Sequence, residues 1–306
     1  MTTETKIDLF SLVGEALTAV GAQYEQALRQ TNADLGLTGP DWGLLFSIQG
    51  LEPQLATAAR MQRFAPYVTP ETLETRLAEA AGRGFLAGDR EQRYRLTDRG
   101  RAAVKQSFGA VHTALADVEL LPAAEQRRLN ELLRRLVDAT LAQPEPADKS
   151  LLQASRLTDP GERASAAALT DQYLTDLARF RDDAHLAAWE PLGISGIAWE
   201  ALTLIWRGEA YSADTLAKRL ESRSQPAQVY IDAIHDLVER GWIAQHGEAY
   251  RVTDRGAALR QQAEEATDRY FYTSWSSLSE AETAELRELL AQLRDQHAQA
   301  REQSTG

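Results

Sequence analysis

The sequence contains no cysteine, and that absence removes disulfide bridges, thiolate nucleophiles, cysteine-ligated zinc and iron–sulfur clusters. Apolar-rich stretches such as 201–206 fall far short of the roughly 18 residues that a membrane span requires, so no membrane partner is expected. The N-terminus has no basic segment joined to an uninterrupted apolar run, so no secretory signal is expected and the cytoplasm is the expected location. Positive charge is also scarce: 33 basic against 45 acidic residues give a net charge of −12. That balance weighs against nucleic-acid binding spread over a whole surface, so any basic patch has to be local.

Motifs for catalysis are missing too. The histidines at 112, 185, 235, 246 and 297 form none of the HxH, HxxxH or HExxH spacings that set two metal ligands on one helix face. No GxGxxG, GxxxxGK or GxSxG sequence occurs, so phosphate cradles and a hydrolase nucleophile elbow have no support. The expectation is a chain that is not an enzyme, with no cofactor and no metal.

What the sequence does contain is itself, twice. Trp42-Gly43-Leu44-Leu45-Phe46 is echoed by Trp199-Glu200-Ala201-Leu202-Thr203, and Gly84-Phe85-Leu86-Ala87 by Gly241-Trp242-Ile243-Ala244, both at an offset of 157. Leu96-Thr97-Asp98-Arg99-Gly100 returns as Val252-Thr253-Asp254-Arg255-Gly256 at 156, and the leucine-led segments at 121–125 and 278–282 restore 157. A near-constant offset over more than eighty residues is the signature of a repeat. The proline- and charge-rich stretch 143–150 reads as the connection, giving one repeat over residues 1–145 and a second over 146–306. The charge is uneven: −3 over residues 1–150 (17 basic, 20 acidic) and −9 over the remainder (16 basic, 25 acidic).

Within the first repeat, apolar spacing from Ile7 to Tyr24 predicts a long amphipathic helix stopped by Gly36 and Gly39-Pro40, and then a second helix capped by Asp41. A third, short helix is expected over 54–63. Thr69-Pro70-Glu71 reads as an N-cap, a first-turn proline and an acidic first turn, and starts a helix running to about Ala81. Two short β-compatible runs, 85–86 and 94–97, flank a polar tip carrying Arg90 and Arg93. Helical patterns over 99–119 and 123–142 close the repeat. The expected fold class is therefore mainly α with small β-wings, in two tandem winged helix-turn-helix units joined through long dimerisation-type helices.

Leu37-Thr38-Gly39-Pro40-Asp41-Trp42, Gly84-Phe85-Leu86 with Asp89-Arg90, Leu96-Thr97-Asp98-Arg99-Gly100-Arg101 and Leu121-Pro122-Ala123-Ala124-Glu125, in that order, resemble the MarR-family winged helix-turn-helix transcriptional regulators. The second repeat is similar through 252–256 and 278–282. The resemblance implies a regulator that binds double-stranded DNA and responds to a small-molecule effector. Regulators of that family are homodimers, so a tandem chain implies an intramolecular pseudo-dimer, a monomer in which 8–30, 101–119 and 123–142 pack against 164–189, 257–275 and 280–297.

For DNA, donors to base edges and cations for phosphates are needed. In the first repeat these are Thr72, Thr75 and Arg76 on the presumed recognition helix and Arg90, Arg93 and Arg95 in the wing. In the second they are Lys218, Arg219, Arg223, Gln225, Gln228 and Arg251. Glu71, Glu74, Glu79, Asp232 and Asp236 oppose them. By family analogy Tyr24, Trp42, Phe46, Trp199 and Trp206 line an effector cleft. The alternative is a regulator-like fused scaffold that has lost operator binding and captures a small molecule or a protein.

Overall fold

In a computed structural model that describes residues 3–223 and 225–305, local sequence signals set most element boundaries. The order is α1 (Thr3–Asp34), α2 (Gly39–Leu51), α3 (Ala58–Met61), α4 (Pro70–Gly82), β1 (Leu86–Gly88), β2 (Tyr94–Leu96), α5 (Asp98–Ala114) and α6 (Ala123–Ala142). It continues with α7 (Ser150–Arg156), α8 (Ala166–Trp189), α9 (Gly196–Trp206), α10 (Ala213–Arg219), α11 (Ala227–Glu239), β3 (Ile243–His246), β4 (Ala249–Val252), α12 (Asp254–Thr273) and α13 (Glu280–Thr305). The chain is mainly helical, and its strands form two antiparallel hairpins, Leu86 opposite Leu96 and Ile243 opposite Val252.

Caps explain where these helices begin. The Thr69 hydroxyl accepts from the Thr72 N–H and Pro70 takes the first turn, so α4 starts where its sequence says. Ser195 and Ser212 cap α9 and α10 in the same way. Three expectations need correction. Asp41 does not precede α2 but lies in its first turn, where its carboxylate accepts from the Thr38 N–H at 2.6 Å, the returning half of a capping box. The third helix is confined to Ala58–Met61 because Thr57 caps it four residues later than expected. The helix from 98 stops at Ala114, where Ala116 N–H turns back to the Thr113 carbonyl, three residues away instead of four.

The connection at 143–150 is exposed over 144–145 and 147–148 but is tied down at Lys149. Lys149 is 8% exposed, and its ammonium donates to the Thr140 and Leu141 carbonyls at 2.8 and 3.2 Å and to that of Gln143. It thereby closes the C-terminus of α6, where a cation is favoured. The buried Asp183 carboxylate accepts from the Leu151 and Leu152 N–H groups at 3.1 and 2.9 Å, completing the start of α7.

The chain packs as two compact units, each drawing on residues from both sides of the 143–150 connection. The first comprises residues 1–50, 98–184 and 268–306; the second comprises 51–97 and 185–267. In the first, α1 packs on α5 and α13, and α6 packs on α13. The reason is visible in the leucine spacing: Leu129, Leu132, Leu133, Leu136 and Val137 of α6 and Leu286, Leu289, Leu290 and Leu293 of α13 form stripes at 3.6-residue periodicity. Neither stripe is covered by its own repeat alone, and each fully buried leucine contributes roughly 1.5–3 kcal/mol of transfer free energy.

A charged seam runs along these helices. Arg128 holds Glu285 through two nitrogens, at 3.0 and 2.8 Å, and Arg135 pairs with Glu282 and donates to the Ser277 carbonyl. Arg135, with the Ser279 N–H behind it, holds the Glu282 carboxyl down to about 2.

Candidate functional site

All twelve residues expected to meet DNA fall in the second unit. Its hairpins are anchored by the repeated Thr-Asp-Arg-Gly motif. The Thr97 hydroxyl lies 2.8 and 3.0 Å from the Gly84 and Phe85 carbonyl oxygens, and Thr253 repeats this with Gly241 and Trp242 at 2.8 and 3.1 Å. Gly84 (φ +79) and Gly241 (φ +70) end α4 and α11 in the left-handed conformation, with Phe85 and Trp242 N–H groups reaching back to Ala80 and Leu237. The threonine of this motif therefore closes helix onto hairpin.

Gly256 shows why the last motif position has to be small. A Cβ there would stand 2.1 Å from the Trp242 carbonyl oxygen, which is backbone and cannot rotate away. Glycine to alanine inside a helix ordinarily gains up to about 1 kcal/mol. Gly256→Ala is instead expected to destabilise by roughly 1–3 kcal/mol, the range for overpacking, as read by urea denaturation. An unchanged midpoint would show that the close approach is not required.

The first wing is a built turn. Asp89 accepts from the Glu91 and Arg93 N–H groups at 2.9 and 3.1 Å and from the Arg93 guanidinium at 2.8 Å, and Arg93 also pairs with Glu91. The side-chain hydrogen bond from Arg93 lowers the Asp89 pKa. Arg93 is thus spent within the turn. Arg90 at the tip and Arg95 on the outer face of β2 are exposed, with no partner among the described residues. Arg251 on β4 is exposed and unpartnered in the same sense, at the repeat position of Arg95.

The helices offer less. On α4, Thr75 is exposed but its hydroxyl donates to the Glu71 carbonyl, and Arg76 is half-buried beside the exposed Glu71, Glu74 and Glu79. Thr72 is half-buried and donates to the Gln225 side chain at 3.4 Å. In the second repeat, Arg219 pairs with Glu209 at 2.9 Å, Arg223 with Glu200 at 2.8 Å, and Gln228 donates to Asp232 at 2.8 Å. Lys218 is exposed and unpartnered among the described residues. The outer face of α11 carries Ile231, Asp232, His235 and Val238.

The five aromatic candidates divide between the units. In the first, Trp42 and Phe46 stack at 6.1 Å, and Phe108 joins them at 5.4 and 5.3 Å. Tyr24 donates to Asp171, whose carboxyl burial pushes up to about 6. A carboxylate with a raised folded-state pKa binds more protons folded than unfolded, so its contribution to stability falls as pH rises from about 4 to about 6. Asp171→Asn keeps the acceptor for Tyr24 and removes the charge. The melting temperature of the variant relative to wild type is expected to be higher at pH 7 than at pH 4; an equal difference at both would remove Asp171 as the cause.

In the second unit, Trp199 is 1% exposed, donates its indole N–H to His185 at 3.1 Å and stacks on Trp189 at 5.8 Å. Sequence reasoning missed Arg260, which is 2% exposed with its guanidinium 5.0 Å from the Trp199 ring centroid and 5.3 Å from that of Trp206. Its Nε donates to Thr203 at 2.9 Å and it pairs with Glu264, while burial lowers its pKa. Gly256, Arg260, Ala263 and Thr267 form a buried stripe at helical spacing, and the rings that enclose its arginine come from another helix, α9. An open groove of about 670 Å³, lined by Leu192, Arg240, Trp242, Arg255, Leu259 and Gln262 among others, also lies in this unit, and no sequence feature marked it.

Among the described residues no three histidine, aspartate or glutamate side chains cluster as metal ligands, and no helix is long and apolar enough to cross a membrane. No curated protein and no solved structure matches the chain. A helix-turn-helix family matches residues 102–303, two thirds of its length. The chain belongs to that helix-turn-helix family, a class of fold that DNA-binding regulators use.

Proposed function

We propose that the chain is a DNA-binding transcriptional regulator in which two MarR-like winged helix-turn-helix halves, residues 1–145 and 146–306, form a single-chain pseudo-dimer. Arg95 and Arg251 carry the DNA reading: they occupy equivalent positions on the outer strands of the two wings, both exposed and both without an internal partner among the described residues. Cations so placed suit phosphate contacts that are local on an acidic chain. The pseudo-dimer is supported by Arg128 and Glu285, which lie 157 residues apart, the repeat offset, and bind each other. Equivalent residues meet where a two-fold axis passes, and in a dimer of identical subunits they would carry like charges. Opposite charges suit two halves of one chain. An effector of aromatic character at the Trp199, Trp206 and Arg260 cluster, where rings and a buried cation converge, would have to part closely packed side chains, since Trp199 and Arg260 are 1% and 2% exposed.

The glutamates on the outer face of α4 and the apolar and acidic outer face of α11 favour a second reading, a scaffold that retains the fold without operator binding. A mobility shift on the DNA upstream of the protein's own gene, at two salt concentrations, separates the two. The regulator gives a shift that weakens with salt. No shift at low salt overturns it in favour of the scaffold.

A further inference from the structure

The turn before α4 and the segment that leads into α11 touch each other in the second unit. Arg63 pairs with Glu190 at 3.2 Å. The Arg223 guanidinium lies 5.1 Å from the Tyr67 ring centroid while it also holds Glu200. Thr72, in the first turn of α4, donates to Gln225, two residues before α11. A Cβ on Gly196 would stand 2.0 Å from the Pro66 carbonyl oxygen, so the backbones of the two repeats are in direct contact at the start of α9. These contacts join an ion pair, a cation over a ring, a hydrogen bond and a backbone approach that only glycine allows.

The geometry conflicts with reading two grooves at once. In helix-turn-helix dimers the N-terminal residues of the recognition helices contact base edges, and the two half-sites lie one helical turn apart, about 34–36 Å. Here a side chain in the first turn of α4 and one from the segment just ahead of α11 are within hydrogen-bond distance of each other. The ends that would read bases are committed to one another.

We propose that this form is closed, that the contacts at Arg63–Glu190, Pro66–Gly196, Tyr67–Arg223 and Thr72–Gln225 are an autoinhibitory clamp, and that binding across two successive major grooves requires the clamp to open. The proposal rests on the DNA-binding reading above and adds its regulation. An effector would act by shifting the balance between closed and open chains, and the apparent affinity for DNA would scale with the open fraction.

The chain's lack of cysteine makes the test clean. Arg63→Cys combined with Glu190→Cys supplies the only two thiols, at neither expected base-reading nor phosphate-binding positions. A short bis-maleimide is expected to join them in the free protein, and the joined species is expected to bind duplex DNA at least about tenfold more weakly than the same variant capped with N-ethylmaleimide. Gly196→Ala, which sits in the first turn of α9 and whose added Cβ has its three nearest neighbours on Pro66, is expected to tighten binding by about tenfold, the gain when the open fraction rises from about a tenth to nearly all. Circular dichroism confirms that each variant is folded; should Gly196→Ala fail to fold, Glu190→Gln takes its place. Failure to cross-link overturns the clamp. Equal DNA binding by joined and capped protein overturns its role as a gate and leaves the DNA-binding reading standing. If neither wild type nor the released variant binds any duplex at low salt, the DNA-binding reading falls and the gate with it, whatever the cross-linking yield.

Discussion

Replacing Arg90, Arg95 and Arg251 together by alanine is expected to lower the slope of log K against log salt by about 2.7, since each phosphate contact contributes about 0.9. At ~0.1 M salt the same arithmetic gives a loss of two to three orders of magnitude in affinity, roughly equal for all sequences because phosphates carry no base identity. Fluorescence anisotropy on a labelled duplex at several salt concentrations reads both quantities. Arg93→Ala is the internal control: its guanidinium already belongs to Asp89 and Glu91, so its removal should change the slope by much less than one contact. A triple variant with an unchanged slope would mean that the wings do not touch DNA.

The second large effect concerns the helical unit. Leu133 and Leu290 are both 0% exposed within its core, on α6 and α13. Leu133→Ala and Leu290→Ala are each expected to cost about 2–5 kcal/mol, the transfer loss plus the cavity left behind. Because this unit draws on both repeats, both substitutions should move the same urea transition. Halves that folded independently would instead give two transitions, each sensitive to one substitution.

How far the sequence could be read depended on the range of the interaction that decides each feature. Helix α6 spans Ala123–Ala142, the bounds expected from its leucine pattern, and α4 begins at the capped proline, because the determining residues are neighbours in the chain. The hairpins were legible for the same reason. What escaped was set by partners far away in sequence. Nothing local says that Lys149 will fold back onto α6, that Arg260 will be enclosed by two tryptophans, or that Arg63 will meet a glutamate 127 residues on. The candidate DNA residues show the same limit: residue type identified Arg93, Arg219 and Arg223 as cations, and only the fold shows that each already holds an acidic partner. The weight of the site consequently moves to Arg90, Arg95, Lys218 and Arg251.

In the proposed pseudo-dimer, one chain supplies both halves of the DNA-binding unit. Native mass measurement of the protein bound to its own upstream duplex at low salt counts the chains in the complex. One chain of 33.9 kDa per duplex is expected. A complex holding two chains on one duplex, or no complex at all, would contradict it.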